Sequence, residues 1–378
     1  MNGPMRRVAL GLFLAFLVLA LDVTYWQIIA ADRLRAHPQN ARAQLARSGR
    51  ERGQIISSDT VVLAISVPDP SDPRYYVREY PHGQLYAHTV GFSSPLFGDS
   101  GLERSQAVVL TSGRDLTVSG IINALIGEDR RARSIQITLN HRLQRTAARA
   151  LGSRYGALVA IEPTTGRLLA LASSPTFDPN FLIGSEAATV WNALGRDPSR
   201  PLQNRATGRW LPGDLLPEDV VTGIPSGPDT SSESAFSLAL RTAAVATGGQ
   251  PMSPYVVARV FDRDSQLESE TEPIPFAQRL SGEEVATLRD SMDVLEIDSA
   301  RFGPIRGLGA SGTDRDAFDR PRIWFVGFLP LGQPAIAVAV VIESVAASGS
   351  RGTGTAEAAS IGRAVMVAWL DQQSPLGR

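Results

Sequence analysis

Gly156-Ala157-Leu158-Val159-Ala160-Ile161-Glu162-Pro163-Thr164-Thr165-Gly166-Arg167-Leu168-Leu169-Ala170-Leu171-Ala172-Ser173 decides the fold. Two uninterrupted apolar runs flank four residues of turn chemistry. Pro163 pre-sets one backbone angle, and Gly166 supplies the left-handed position that a β-carbon would disfavour. Two short apolar runs joined by such a turn read as the strands of a hairpin.

Working downstream, Ser232 to Thr247 reads as an apolar-faced helix, stopped by Gly248-Gly249 and followed by Pro251 and Pro254. Ser281-Gly282-Glu283-Glu284 is a capping-box start, predicting a helix to about Val294. Pro321 to Phe328 and the continuous apolar run Ala335 to Ile342 are two more strands, and Ala356 to Leu370 is a closing helix. Upstream, Asn140 can cap a helix whose apolar stripe is Leu143, Ala147, Ala150 and Leu151. Residues 61–134 hold short β-like runs among Pro, Gly, Asp and Ser turns, and 32 to about 60 form a polar, arginine-rich stalk. Strands and helices in this order predict an α+β domain, with a mixed or antiparallel sheet between helical layers. No internal repeat or low-complexity tract is present.

Composition narrows the chemistry. Arginine and lysine total 37 against 38 acidic residues, so no basic field points to nucleic acid. With no cysteine, disulfides and thiolate catalysis are excluded. All 37 basic residues are arginine, so the chain has no lysine at all. A GC-rich genome drifts from Lys to Arg on surfaces, which accounts for most positions but not for a catalytic one. At the N-terminus, Arg6-Arg7 precede the uncharged run Val8 to Leu21, and Tyr25-Trp26 stand near the far end of its continuation to Ile29. That pattern predicts a single membrane helix with a cytoplasmic tip and the rest of the chain outside; a cleaved signal peptide is the rival reading.

Several segments together resemble the class B penicillin-binding proteins, most nearly the actinobacterial penicillin-binding protein A type. They are Arg52-Gly53-Gln54-Ile55, Tyr80-Pro81, Gly91-Phe92, Leu102-Glu103-Arg104, Thr138-Leu139-Asn140, the hairpin at 156–173, Ser173-Ser174-Pro175 with Asp178-Pro179-Asn180, and Pro201 to Thr207. The resemblance implies a membrane anchor at 1–31, a stalk and β-rich pedestal at 32–135, and at 136–378 a transpeptidase domain of the serine β-lactamase kind. The family's chemistry uses Ser-x-x-Lys at a helix start, a Ser-x-Asn pair and Lys-Thr-Gly on a strand. In this chain the matching positions are degenerate. Asp214 stands at the nucleophile and Pro217 at the lysine of Leu211-Pro212-Gly213-Asp214-Leu215-Leu216-Pro217. The long helical subdomain that carries Ser-x-Asn is largely missing. Ala310-Ser311-Gly312-Thr313 stands at the third motif, with Ala310 in place of the cation. Arginine elsewhere cannot take the lysines' part, because a guanidinium stays protonated near neutrality.

The resemblance therefore implies a catalytically inactive transpeptidase homologue in cell-wall synthesis, partnered through anchor and pedestal with a membrane glycosyltransferase. Ser311, Gly312 and Thr313 are the residual binding strand, and non-covalent peptidoglycan contact stays open. The alternative is an active D,D-transpeptidase using unorthodox residues, Ser311 or Ser231. No cofactor or metal is expected. The four histidines (His37, His82, His88, His141) are scattered and read as surface or packing groups. Asp314-x-Asp316-x-x-Asp319 lacks the Gly and Glu of a calcium loop and reads as a solvated hairpin tip.

Overall fold

The computed structural model describes residues 3–24, 51–70, 72–73, 75–111, 132–208, 233–316, 319–343 and 353–373. Helix α1 spans Gly3–Thr24, and its described side chains, residues 11–20 and Asp22, are all exposed. Among the described residues no helix is long and apolar enough to cross a membrane.

After the stalk come β1 (Ile55–Ile56), β2 (Val62–Pro68) and β3 (Tyr76–Glu79), then the small pair β4 (Ser93–Ser94) and β5 (Gly98–Asp99), one-turn helices to Leu110, and β6 (Ser134–Ile137). Helix α2 (His141–Leu151) begins where the sequence predicts: the Asn140 side chain accepts from the Leu143 amide at 2.9 Å. The hairpin forms as β7 (Gly156–Ile161) and β8 (Leu168–Ser174), with Gly166 at φ 82°. Then follow α3 (Ala187–Arg196) and α4 (Ala235–Ala246), the latter capped by Ser234. Next are β9 (Val257–Phe261), β10 (Leu267–Glu270), α5 (Gly282–Asp290), β11 (Asp293–Ser299), β12 (Gly303–Arg315), β13 (Pro321–Leu329), β14 (Ile336–Glu343) and α6 (Thr353–Leu370).

One expectation needs correcting. The capping box at Ser281 and Glu284 is present, but α5 stops at Asp290 instead of running to Val294. From Asp293 the burial alternates, with Leu295, Ile297 and Ser299 inward, so period two wins over period 3.6 and the segment becomes β11.

Two six-stranded sheets organise the molecule. One runs β10-β9-β6-β1-β2-β3 and joins pedestal strands to β9 and β10, which lie far downstream in sequence. The other runs β11-β12-β13-β14-β7-β8, every neighbour antiparallel. Alternation along β7, β13 and β14 divides the core. Leu158, Ala160, Phe325, Val338 and Val340 meet α2 and α6. Ala157, Val159, Val326, Ala339 and Val341 meet α4 and continue into the pedestal core. Covering both faces explains why β14 is apolar from Ile336 to Ile342; each fully buried Val or Ile there contributes roughly 1.5–3 kcal/mol.

Candidate functional site

The residual strand motif lies on β12, where Ala310, Ser311, Gly312 and Thr313 stand opposite Val326, Phe325, Trp324 and Ile323 of β13. The other neighbour, β11, stops pairing at Asp293 opposite Gly309. From Ala310 onward the outer edge of β12 therefore has no strand partner among the described residues. Alternation splits the motif. Ala310 and Gly312 turn toward the α4 side, where Ala310 packs with Trp324, while Ser311 and Thr313 are exposed on the opposite side. A β-carbon on Gly312 would come within 2.6 Å of the Trp324 ring, so only glycine lets the indole lie across this strand.

Beyond the motif the same strands carry charge. Arg322 forks onto Asp314, Nε to Oδ1 at 2.9 Å and Nη2 to Oδ2 at 2.8 Å, and its Nη1 donates to the Glu233 carbonyl at 2.8 Å. Arg241 pairs with Glu233 at 2.7 Å. Arg205 donates to Glu343 at 3.2 Å and stacks 5.4 Å from the Tyr155 ring centre. Arg320 pairs with Asp316. Arg205, Glu233, Asp316, Arg320, Arg322 and Glu343 among these line a cleft of about 240 Å³ that also meets Gln203, Thr207 and Ser234 at the mouth of α4. Burial lowers the pKa of Arg205 from its ordinary value, with Glu343 pulling the other way; a guanidinium nonetheless stays protonated at neutral pH. Every charge in this cleft is fixed by a partner, and no imidazole lines it. Such a site can hold a polar group, and its described lining offers neither an imidazole nor an amine; its only basic groups are the ion-paired carboxylates of Glu233, Asp316 and Glu343.

The structure places the remaining sequence-derived residues as follows. Asp214, Pro217 and Ser231 lie outside the described residues, as does His37. The aspartates of the hairpin tip are held by arginines, Asp314 by Arg322, Asp316 by Arg320 and Asp319 by Arg315. His82 and His141, distant in sequence, meet at 4.5 Å between ring centres, and Tyr86 Oη lies 3.2 Å from His141 Nδ1. Burial lowers the His141 pKa, and His82 lowers it further. His88 is buried edge-on against Phe177. Sequence reasoning also missed Arg78. With Arg52 it embraces the fully buried Glu103, Arg78 Nε at 2.6 Å from Oε1 and Arg52 Nη2 at 2.9 Å from Oε2. A lone arginine in a short strand carries no signal of such a role.

Comparison with known proteins gives the class first. Residues 52–135 match the family model described as the penicillin binding protein A dimerisation domain. The crystal structure of PBPA from Mycobacterium tuberculosis superposes with a TM-score of 0.67 at 25% identity, over 85% of this chain and 99% of that one. Its penicillin G acyl-enzyme complex gives 0.66 at 25% identity, over 85% and 100%. The fold is thus that of a penicillin-binding transpeptidase on its pedestal. Peptidoglycan D,D-transpeptidase PbpA of Mycolicibacterium smegmatis is 29% identical over 498 aligned positions, 99% of this chain and 100% of the relative. Over its whole length the chain is homologous to the penicillin-binding proteins of the penicillin-binding protein A type. Since it has only 378 residues, more than a hundred of those aligned positions have no counterpart in it.

Proposed function

We propose that this chain serves peptidoglycan synthesis as a non-acylating homologue of the D,D-transpeptidases, a binding or scaffolding member of the cell-wall machinery. The observation that carries this reading is Ala310. Strand β12 keeps its glycine, its hydroxyls and an open edge, yet bears a methyl group where the family's strand motif has a cation, in a chain with no lysine anywhere. Asp214 and Pro217 at the positions matching Ser-x-x-Lys support it further, because proline cannot deprotonate a neighbour and a carboxylate without a nearby base is a poor acyl carrier. The positions missing against the relative are consistent with loss of most of the helical subdomain.

In this reading α1 anchors the chain in the cell membrane, as a single pass with residues 32–378 on the extracytoplasmic side. Its exposed Leu12, Phe13, Phe16 and Leu19 are side chains that lipid would cover. Anchor and pedestal, which keep the family's segments best, engage a membrane glycosyltransferase. The β12 edge holds peptidoglycan without covalent chemistry. The test is the full chain in detergent, incubated with a fluorescent penicillin and run on a denaturing gel. No labelled band is expected; a band that boiling leaves in place would overturn the proposal.

A further inference from the structure

Helix α2 keeps its charge on one side. Leu143, Ala147 and Leu151 are buried in the layer shared with β7, β8 and α6. Arg142, Arg145 and Arg149, at spacings of three and four residues, fall together on the opposite face and are exposed. None of these three guanidiniums makes a hydrogen bond or an ion pair with any described residue. The carboxylates bonded near the two ends of the helix are already engaged. Asp59 accepts from the His141 amide at 2.8 Å and from Ser57 Oγ at 2.7 Å, and Glu357 of α6 pairs with Arg154. No Asp or Glu stands anywhere between Asp129 and Glu162, a stretch with seven arginines.

A solvated helix ordinarily sets acids three or four residues from its cations, because like charges at that spacing repel. Here the repulsion is left in place, and Arg142 in the first turn also opposes the positive end of the helix dipole. The fold gains nothing from either. Arg142 and Arg149 stand two turns apart, about 10 Å along the axis with Arg145 between them, so the charges form a row. Thr146, Ala148 and Ala150 beside the row are small and half-buried. A protein partner draws its affinity from aromatic and aliphatic anchors, and a bilayer surface from apolar side chains inserted beside the cations. The described side chains of this face supply neither. A flexible chain of phosphates needs only the charges, since the counterions it releases supply the affinity. Each planar guanidinium also fits a phosphate with two parallel N–H donors.

We propose that the arginine row of α2 is a docking surface for a linear phosphodiester polymer of the cell envelope, laid along the helix with a phosphate at each of Arg142, Arg145 and Arg149. Its location in the envelope rests on the extracytoplasmic placement of residues 32–378. The binding itself does not, and is measured on the purified chain whatever its side of the membrane and whatever the penicillin gel shows.

The probe is a fluorescein-labelled hexamer of glycerol phosphate, titrated by anisotropy into the full chain in neutral detergent. Binding is expected, with the logarithm of the affinity falling against that of salt at a slope of about −2, roughly 0.7 for each neutralised phosphate. The combined variant Arg142→Gln, Arg145→Gln, Arg149→Gln should bind about tenfold more weakly or worse at low salt, with a slope near zero. Its melting point should stay unchanged or rise slightly, because like charges at helical spacing are gone. Arg145→Gln alone should remove about a third of the slope, and decides the matter should the combined variant unfold. Monomeric glycerol phosphate, matched in phosphate, should compete far more weakly than unlabelled hexamer. The ratio of parent to variant affinity should persist when phosphatidylglycerol replaces phosphatidylcholine in the micelles. Absence of binding at millimolar hexamer, an unchanged slope in the variants, or equal competition by the monomer overturns the proposal. So does equal binding of hexaglutamate, which would give the row to an acidic protein. A ratio falling to one with phosphatidylglycerol overturns it too, by giving the row to lipid headgroups.

Discussion

Glu103 carries one negative charge between two guanidiniums, fully buried, and nothing adjacent to it in sequence announces the arrangement. Its partners stand 25 and 51 residues upstream. Removing one member of such a set leaves buried cations uncompensated, so Glu103→Gln should destabilise by roughly 3–5 kcal/mol, read as a lower urea midpoint with the fold otherwise retained. Ala310 is the opposite case, because its departure from Lys-Thr-Gly lies in one contiguous stretch of sequence, and the proposed loss of chemistry rests on that reading. Restoring only the cation should not restore chemistry. Ala310→Lys is expected to give no covalent penicillin adduct on a gel. It should also lose about 1–3 kcal/mol by forcing a long side chain onto the Trp324 face. Acylation by this single variant would mean that a nucleophile is already present. What sequence could not supply at this scale was mutual position: His82 beside His141, or Arg78 under Glu103.

Elements were read well wherever one period acted alone. The β7–β8 hairpin, the Asn140 cap, the Ser281 capping box and the closing helix all follow local rules. The end of α5 was misplaced because Leu288, Met292 and Leu295 also fit a helical stripe, and only pairing with β12 turns Asp293–Ser299 into a strand. Long-range pairing of that kind leaves no trace in a window of ten residues. The seam between α6 and β13 shows the same limit. A β-carbon on Gly362 would sit 2.3 Å from two atoms of the Phe325 ring, so the helix lies against the sheet through a missing side chain. Alanine gains about 1 kcal/mol of helix propensity there, but must displace a fully packed ring at a cost of about 1–3 kcal/mol or more. Gly362→Ala should therefore lower the thermal midpoint, despite being favourable in an isolated helix. An unchanged or raised midpoint would show that Phe325 can move aside.

At the scale of the whole molecule, pedestal and transpeptidase-like fold share one sheet, because β9 pairs onto β6 beside the pedestal strands and β10 pairs onto β9. A boundary drawn from sequence at residue 136 separates strands that hydrogen-bond directly. His88 lies within this union: its ring packs against Phe177 and its carbonyl accepts from Asn204 Nδ2 at 3.3 Å. Neither ring nitrogen has a partner in hydrogen-bonding geometry, although the Pro175 carbonyl lies close enough to favour the proton slightly. Burial dominates and pushes the imidazole down from its ordinary 6.5 to about 4, with Arg205 acting in the same direction. The sign follows from proton counting. Above pH about 6.5 neither folded nor unfolded chain protonates this residue, so it has no effect. Between about 6.5 and 4 the unfolded chain takes up a proton that the folded chain refuses, and stability falls as the pH falls, by about 1.4 kcal/mol for each unit. Below about 4 both states are protonated and the loss levels off. His88→Leu removes this contribution while leaving the carboxylates and the other three histidines as they were. The difference between the urea midpoints of the two chains should therefore grow as pH is lowered from 7.5 to 4.5, with the parent chain losing more. Parallel profiles across that range would mean that the core opens enough to hydrate His88, and that the junction is looser than its packing implies.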